Sequence, residues 1–138
     1  MALVVTNAGE VELLNKLIRN TTADNEDYIL HLYQNNYSPV DGSTAGDFTE
    51  SNFTNYVAKT IARSDWSAAT IVSDKAESTC AVQSWTCGTT GNTVYGYYII
   101  GGTSSVLLWA EKFAAQRILA DGDILNLTPK FNIDSANH

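Results

Sequence analysis

Thr93-Val94-Tyr95-Gly96-Tyr97-Tyr98-Ile99-Ile100 runs into Gly101-Gly102-Thr103-Ser104-Ser105 and then into Val106-Leu107-Leu108-Trp109-Ala110-Glu111-Lys112-Phe113. Two stretches rich in aromatic and aliphatic residues flank a stretch of small turn formers, which is the pattern of a β-hairpin. A third run, Ile124 to Ile133, follows the turn Asp121-Gly122-Asp123. In it Leu125, Leu127, Phe131 and Ile133 share one face, and Asn126, Thr128, Lys130 and Asn132 the other, as in an antiparallel strand buried on one side. Pro129 falls on the apolar face and removes a ladder donor, so this strand is expected at an edge or with a bulge.

Working outward, Glu77–Thr86 alternates as a further strand, preceded by Thr70–Ser73 and a turn at Asp74-Lys75. Tyr28–Tyr33 (Tyr-Ile-Leu-His-Leu-Tyr) is apolar almost throughout and reads as a strand buried on both faces. Tyr56–Ser64 alternates like a strand, although Phe53, Val57 and Ile61 also fit a helical period. About seven or eight short strands separated by turn formers define a mainly β fold, an antiparallel β-sandwich or jelly-roll-like domain.

One helix is expected, over residues 7–19. Asn7 is placed as its cap, with Glu10 reaching back. Val11, Leu14, Leu17 and Ile18 recur at helical spacing, with Leu13 widening the stripe. Lys16 and Arg19 suit the negative end of the helix dipole. The apolar stripe has to bury against this domain's sheet or against a neighbouring subunit. Asn20–Asp27 reads as a loop and Ser135–His138 as a tail. Residues 40–55 form a long arm of Asp, Gly, Ser, Thr and Asn, in which Phe48 and Phe53 either pin it to the body or belong to an arm that binds a partner.

A chain of 138 residues with 44% apolar content is sized for one domain with a real core. Eight basic residues against 15 acidic ones give a net charge of −7. The basic residues form no cluster, which argues against a nucleic-acid partner. No apolar stretch reaches the ~18 residues of a membrane helix, so no membrane partner is expected. The opening Met1-Ala2-Leu3-Val4-Val5-Thr6 lacks the basic and apolar regions of a secretion signal, which points to synthesis and folding in a cytoplasm. The sequons at Asn20, Asn36, Asn52 and Asn126 are then chance occurrences. Cys80 and Cys87 would face opposite sides of a straight strand, so reduced, packed thiols are expected rather than a disulfide or a metal site.

Chemistry is hard to find. His31 and His138 are the two histidines, and a Ser-His-Asp arrangement would have to use His31. A hydrogen-bonded, partly buried role is the plainer reading of that residue. Asp121 and Asp123 flank Gly122, but Leu125 stands where a calcium loop needs an oxygen ligand. Glu111, beside Trp109 in an apolar strand, is the best single candidate for carboxylate catalysis, against the plainer reading of pairing with Lys112 or Arg117. Trp66, Trp85, Trp109, Tyr95, Tyr97 and Tyr98 could stack on sugars, though such residues more often pack cores. No catalytic residue, metal site or cofactor is expected.

The opening Met1–Glu10 with Leu13-Leu14-Asn15-Lys16-Leu17-Ile18, and the segments Val94–Tyr98, Leu107–Phe113 and Gly122–Pro129, resemble small bacteriophage virion proteins. These motifs are structural and span most of the chain. The resemblance implies a non-enzymatic capsid cement or decoration protein. Such a protein would bind the major capsid protein lattice on the outer head as a homo-oligomer, a trimer in the expected case. The alternative it implies is a tail or tail-fibre component that contacts host surface glycans. Leu14, Leu17, Phe48, Phe53, Tyr97 and Trp109 are the candidate partner or oligomer contacts.

Overall fold

The hairpin is the centre of the fold. In the computed structural model, which describes residues 3–19 and 26–133, β7 (Thr93–Gly101) and β8 (Leu107–Ile118) form its arms. Around them a five-stranded antiparallel sheet assembles in the order β1-β8-β7-β2-β3, with β1 at Val4–Val5, β2 at Tyr28–Tyr33 and β3 at Lys59–Ile61. The strand expected over 56–64 is thus trimmed to three residues, because Arg63–Asp65 turns as a 3-10 helix. Most of the expected 20–27 loop, and the 135–138 tail with His138, lie outside the described residues.

Two smaller antiparallel sheets pack on one face of the large one. They are β10-β5-β4 and β6-β9, with β4 at Thr70–Val72, β5 at Lys75–Thr79, β6 at Gln83–Thr86, β9 at Ile124–Leu127 and β10 at Lys130–Ile133. Two long strands expected from the sequence are each broken here. Thr79 pairs with Lys130 but Gln83 with Leu127, so residues 80–82 stand opposite 128–129. The cause is Pro129. It has no N–H to give to a ladder, and its side chain is fully buried at the corner while its carbonyl accepts from Cys80 N at 2.8 Å. The pair of strands therefore bends there as one ribbon, as a bulge allows.

The core lies between these layers. Leu30, Leu32, Ile61, Tyr97, Ile99 and Trp109 of the large sheet meet Trp85, Leu125 and Phe131 of the ribbon. The fold is mainly β, with antiparallel sheets layered as a sandwich and one short N-terminal helix. Cys80 and Cys87 are buried free thiols at the edge of this core. Burial pushes both thiols up, as do Asp65 beside Cys80 and Asp121 and Asp123 beside Cys87, which makes them poor nucleophiles at neutral pH.

The 40–55 arm covers the other face of the large sheet, above Tyr33, Tyr98, Leu107 and Ala110. Phe48 stacks on Tyr98 at 4.7 Å and meets Tyr33 edge-on at 4.9 Å. Polar ties fix its course. Thr49 N donates to Asn35 Oδ1, Asn35 Nδ2 to Asp47 O, and Ser51 N to Leu32 O. Phe48 packs on this face, and Phe53, further along the arm, is buried in the core between the layers.

Candidate functional site

The helix is where the structure departs furthest from an ordinary globular domain. α1 spans Asn7–Leu14 and continues as a π-helical turn, Asn15–Arg19. Its cap is Thr6, one residue earlier than expected. Thr6 Oγ1 accepts from Gly9 N at 3.0 Å and donates to Leu107 O, which ties the helix start to β8. Asn7 N donates to Asp41 O at 2.8 Å and so joins the helix to the arm.

Helical periodicity places Gly9, Leu13 and Lys16 on one side and Val11, Leu14 and Ile18 on the opposite side. The side turned to the body is the first. A Cβ on Gly9 would come within 2.1 Å of Leu108 O, so only glycine lets the helix approach this closely. Lys16 is buried, and its ammonium contacts Glu26 directly and Glu12 at 3.7 Å. Glu26 also accepts from Thr103 N and Ser104 N, each at 2.9 Å, and from Ser104 Oγ at 3.1 Å. One carboxylate thus joins the end of the helix to the turn of the β7–β8 hairpin.

The opposite side faces water. Val11 and Leu14 are each 59% exposed, Ile18 73% and Leu17 80%. The helix is inside out, with a glycine and an ion cluster against the protein and its apolar stripe outside. Contiguous exposed apolar patches on folded chains mark interaction sites. Of the expected contact residues, Leu14 and Leu17 lie on this surface. Phe48, Phe53, Tyr97 and Trp109 do not: all four are buried in the subunit, because the arm and the two sheet layers claim their rings. Sequence reading missed Gly9, Lys16 and Glu26. Thr6 preceding Asn7 was a usable cap signal, but nothing local announces a salt bridge between Lys16 and a residue beyond the next loop.

Two predictions arise here. Leu14→Ala should change the unfolding free energy of the isolated subunit by about 0.5 kcal/mol or less, since a 59% exposed side chain leaves no cavity; a nearly unshifted thermal melt checks this. The second concerns acid. Burial alone would raise the Glu26 carboxyl, but Lys16 and the N–H groups of Ser104 and Thr103 more than offset it and hold it at about 2, from an ordinary 4.5. A depressed carboxyl stabilises the fold above its unfolded value and loses that stabilisation as pH falls through the folded one. Stability should therefore decline between pH 4.5 and about 2, and less steeply in Glu26→Gln when both are titrated by denaturant midpoint.

The other candidates are occupied structurally. His31 Nδ1 bonds Glu50 Oε1 at 2.8 Å, and the His31 ring stacks on Tyr98 at 4.8 Å. Its Nε2 is buried, and among the described residues no hydroxyl donates to it; a catalytic serine would have to stand there. Glu111 accepts from Tyr97 OH at 3.0 Å and borders a groove of about 360 Å³ with Phe113, Arg117, Leu125 and Leu127. That groove opens because Val94 pairs with Arg117 and Gly96 with Lys112, which leaves Tyr95 alone opposite residues 113–116. Among the described residues no second carboxylate lines it, whereas glycoside hydrolysis uses a pair. Asp123 Oδ2 accepts from Ala120 N at 2.9 Å, closing the turn at Gly122. Among the described residues no group of three His, Cys, Asp or Glu side chains is placed to hold a metal, and no helix is long and apolar enough to cross a membrane. Trp85, Trp109, Tyr97 and Tyr98 are buried, so they form no surface platform for sugars.

No protein-family model matches the chain, and no curated protein matches it.

Proposed function

We propose that this chain is a non-enzymatic structural protein of a bacteriophage virion, made in the host cytoplasm, which decorates the outer head by binding the major capsid protein lattice as a homo-oligomer. The observation that supports an assembly role is the inside-out helix. Val11, Leu14, Leu17 and Ile18 stand in water while Lys16 is buried, an arrangement that costs stability in isolation and is relieved when a second surface covers the stripe. A surface of this size binds weakly as one contact. Repeated over a lattice it retains the protein firmly, because each further contact becomes intramolecular. The virion assignment rests on the resemblance of Met1–Glu10, Val94–Tyr98, Leu107–Phe113 and Gly122–Pro129 to small phage virion proteins.

Immunogold labelling of intact particles with an antibody to this protein tests the reading. Label spread over the head is the expected result. Label confined to the tail would replace decoration with a tail or fibre role, and unlabelled particles would remove the virion assignment.

A further inference from the structure

We infer that the free edge of β8 beyond β1 is a slot for an extended segment of a different protein, one with alternating apolar side chains and an acid that reaches Arg117. This surface is separate from the helix stripe, and the inference does not rest on the virion assignment.

β7 lies along one edge of β8, and β1 takes only two positions on the other, Val4 opposite Ala110 and Val5 opposite Trp109. From residue 111 to 118 that second edge has no strand partner among the described residues. β9 is likewise paired on one edge only, by β6. The two free edges face each other across the groove beside Glu111. A strand seen face-on presents every second residue. This groove is instead lined by Phe113, Ala114 and Ala115 in succession, and across from them by Leu125, Asn126 and Leu127 in succession. Its walls are therefore backbone edges. It continues as a second space of about 360 Å³ between residues 116–119 and 123–125, and the two spaces share Arg117 and Leu125.

Free strand edges are completed by a strand, whose N–H and C=O groups pair with those of the wall while alternate side chains fill the floor. β1 shows that this edge takes one. The groove begins at Glu111, the residue after the last that β1 covers, so a strand in the slot continues the ladder β1 starts. Side-chain chemistry then selects the occupant. Phe113, Leu125 and Leu127 offer apolar contact, and Ile118 and Ile124 at the rim are 72% and 63% exposed, so covering the slot removes apolar area from water. Glu111 is engaged by Tyr97 OH, and Lys112 turns away to Asn36 Oδ1 and Ser38 Oγ. Arg117 is the charge left over: it is exposed, and among the described residues no acid pairs with it. An acid flanked two residues away on each side by apolar side chains occurs in this chain only at Trp109-Glu111-Phe113, within β8 itself, and at Val72-Asp74-Ala76, in the β4–β5 turn. The occupant is therefore not a second copy. With a net charge of −7 the chain as a whole repels an acidic segment, so a preference for one is local to Arg117.

Fluorescence polarisation of the labelled peptide Thr-Val-Thr-Glu-Thr-Val-Thr against the purified full chain tests this. Saturable binding is expected. N-methylation of alternate peptide amides should weaken it by ~10-fold or more, because the walls hold the backbone. Arg117→Glu should weaken it about fivefold with an unchanged circular dichroism spectrum, since the Arg117 side chain is exposed. That variant should in turn prefer the same peptide with Lys in place of Glu, which general stickiness would not produce. No binding up to ~1 mM peptide, binding indifferent to N-methylation, or a wild type that prefers the Lys peptide overturns the proposal. Self-association of the chain that Arg117→Glu abolishes overturns it as well, by making a second copy the occupant. The readout needs no virion, so it succeeds or fails separately from the labelling of particles.

Discussion

Trp109→Ala is expected to lower the unfolding free energy by about 3–5 kcal/mol, a large part of the ~5–15 kcal/mol that holds a typical domain together. The Trp109 side chain is 3% exposed and joins the two layers. Its ring meets Tyr28 of β2 edge-on at 5.8 Å, Trp66 after the 3-10 turn at 5.8 Å, and Phe131 of β10 at 4.8 Å. Alanine would leave a void bounded by three rings that belong to separate elements, and no single neighbour can move in to fill it. The urea midpoint should fall with the slope of the transition unchanged. A loss below about 1 kcal/mol would mean that the layers do not close on Trp109.

Lys16→Met is expected to cost about 3 kcal/mol, near the lower end for breaking a buried pair. It removes the cation from Glu26 and leaves a buried carboxylate with its donors from Thr103 and Ser104 alone. Those donors keep the loss from being larger. The acid dependence should shift as well. Without the ammonium the Glu26 carboxyl titrates higher, so the decline in stability with falling pH begins at a higher pH than in the wild type. Lys16→Met together with Glu26→Gln should recover part of the loss, because it removes the stranded charge. Equal stability of the single and double variants would show that the pair is not the clamp between the helix and the hairpin turn.

These two predictions divide the molecule along the line between what was legible in the sequence and what was not. Trp109 sits in a run whose character as a strand is plain from local composition, and so does its partner arm Thr93–Gly101. Tyr28–Tyr33 was legible because a strand covered on both faces is apolar at nearly every position, and the structure covers it with the ribbon on one side and the arm on the other. Alternation also gave the right face for Leu125 and Phe131. It could not show that residues 77–86 and 124–133 each change sheet midway, because a bulge keeps the alternation on either side of it. Pro129 was the signal, and its effect was read correctly in kind: the ladder breaks there.

Site residues were harder to read. An aromatic in a strand carries the same sequence signature whether it packs inward or meets a partner, which is why Tyr97, Trp109, Phe48 and Phe53 appeared as contacts and proved to be core. For the helix, the stripe of Val11, Leu14 and Ile18 follows from the 3.6-residue period alone. The period says that these residues share a side, but it is blind to which side meets the protein.

By itself, then, the sequence determined the local elements: the hairpin, the buried strand at 28–33, the helix from about 7 to 19, and the break at Pro129. Periodicity and turn chemistry act between near neighbours, and they suffice for that. Only the tertiary structure decided that the helix lies with its polar side inward. That choice depends on contacts between residues far apart in the chain: Gly9 against the Leu108 carbonyl, and Lys16 against a Glu26 that also holds the hairpin turn. Close backbone approach and a satisfied buried ion pair hold that side against the body, and Val11, Leu14, Leu17 and Ile18 are left outside.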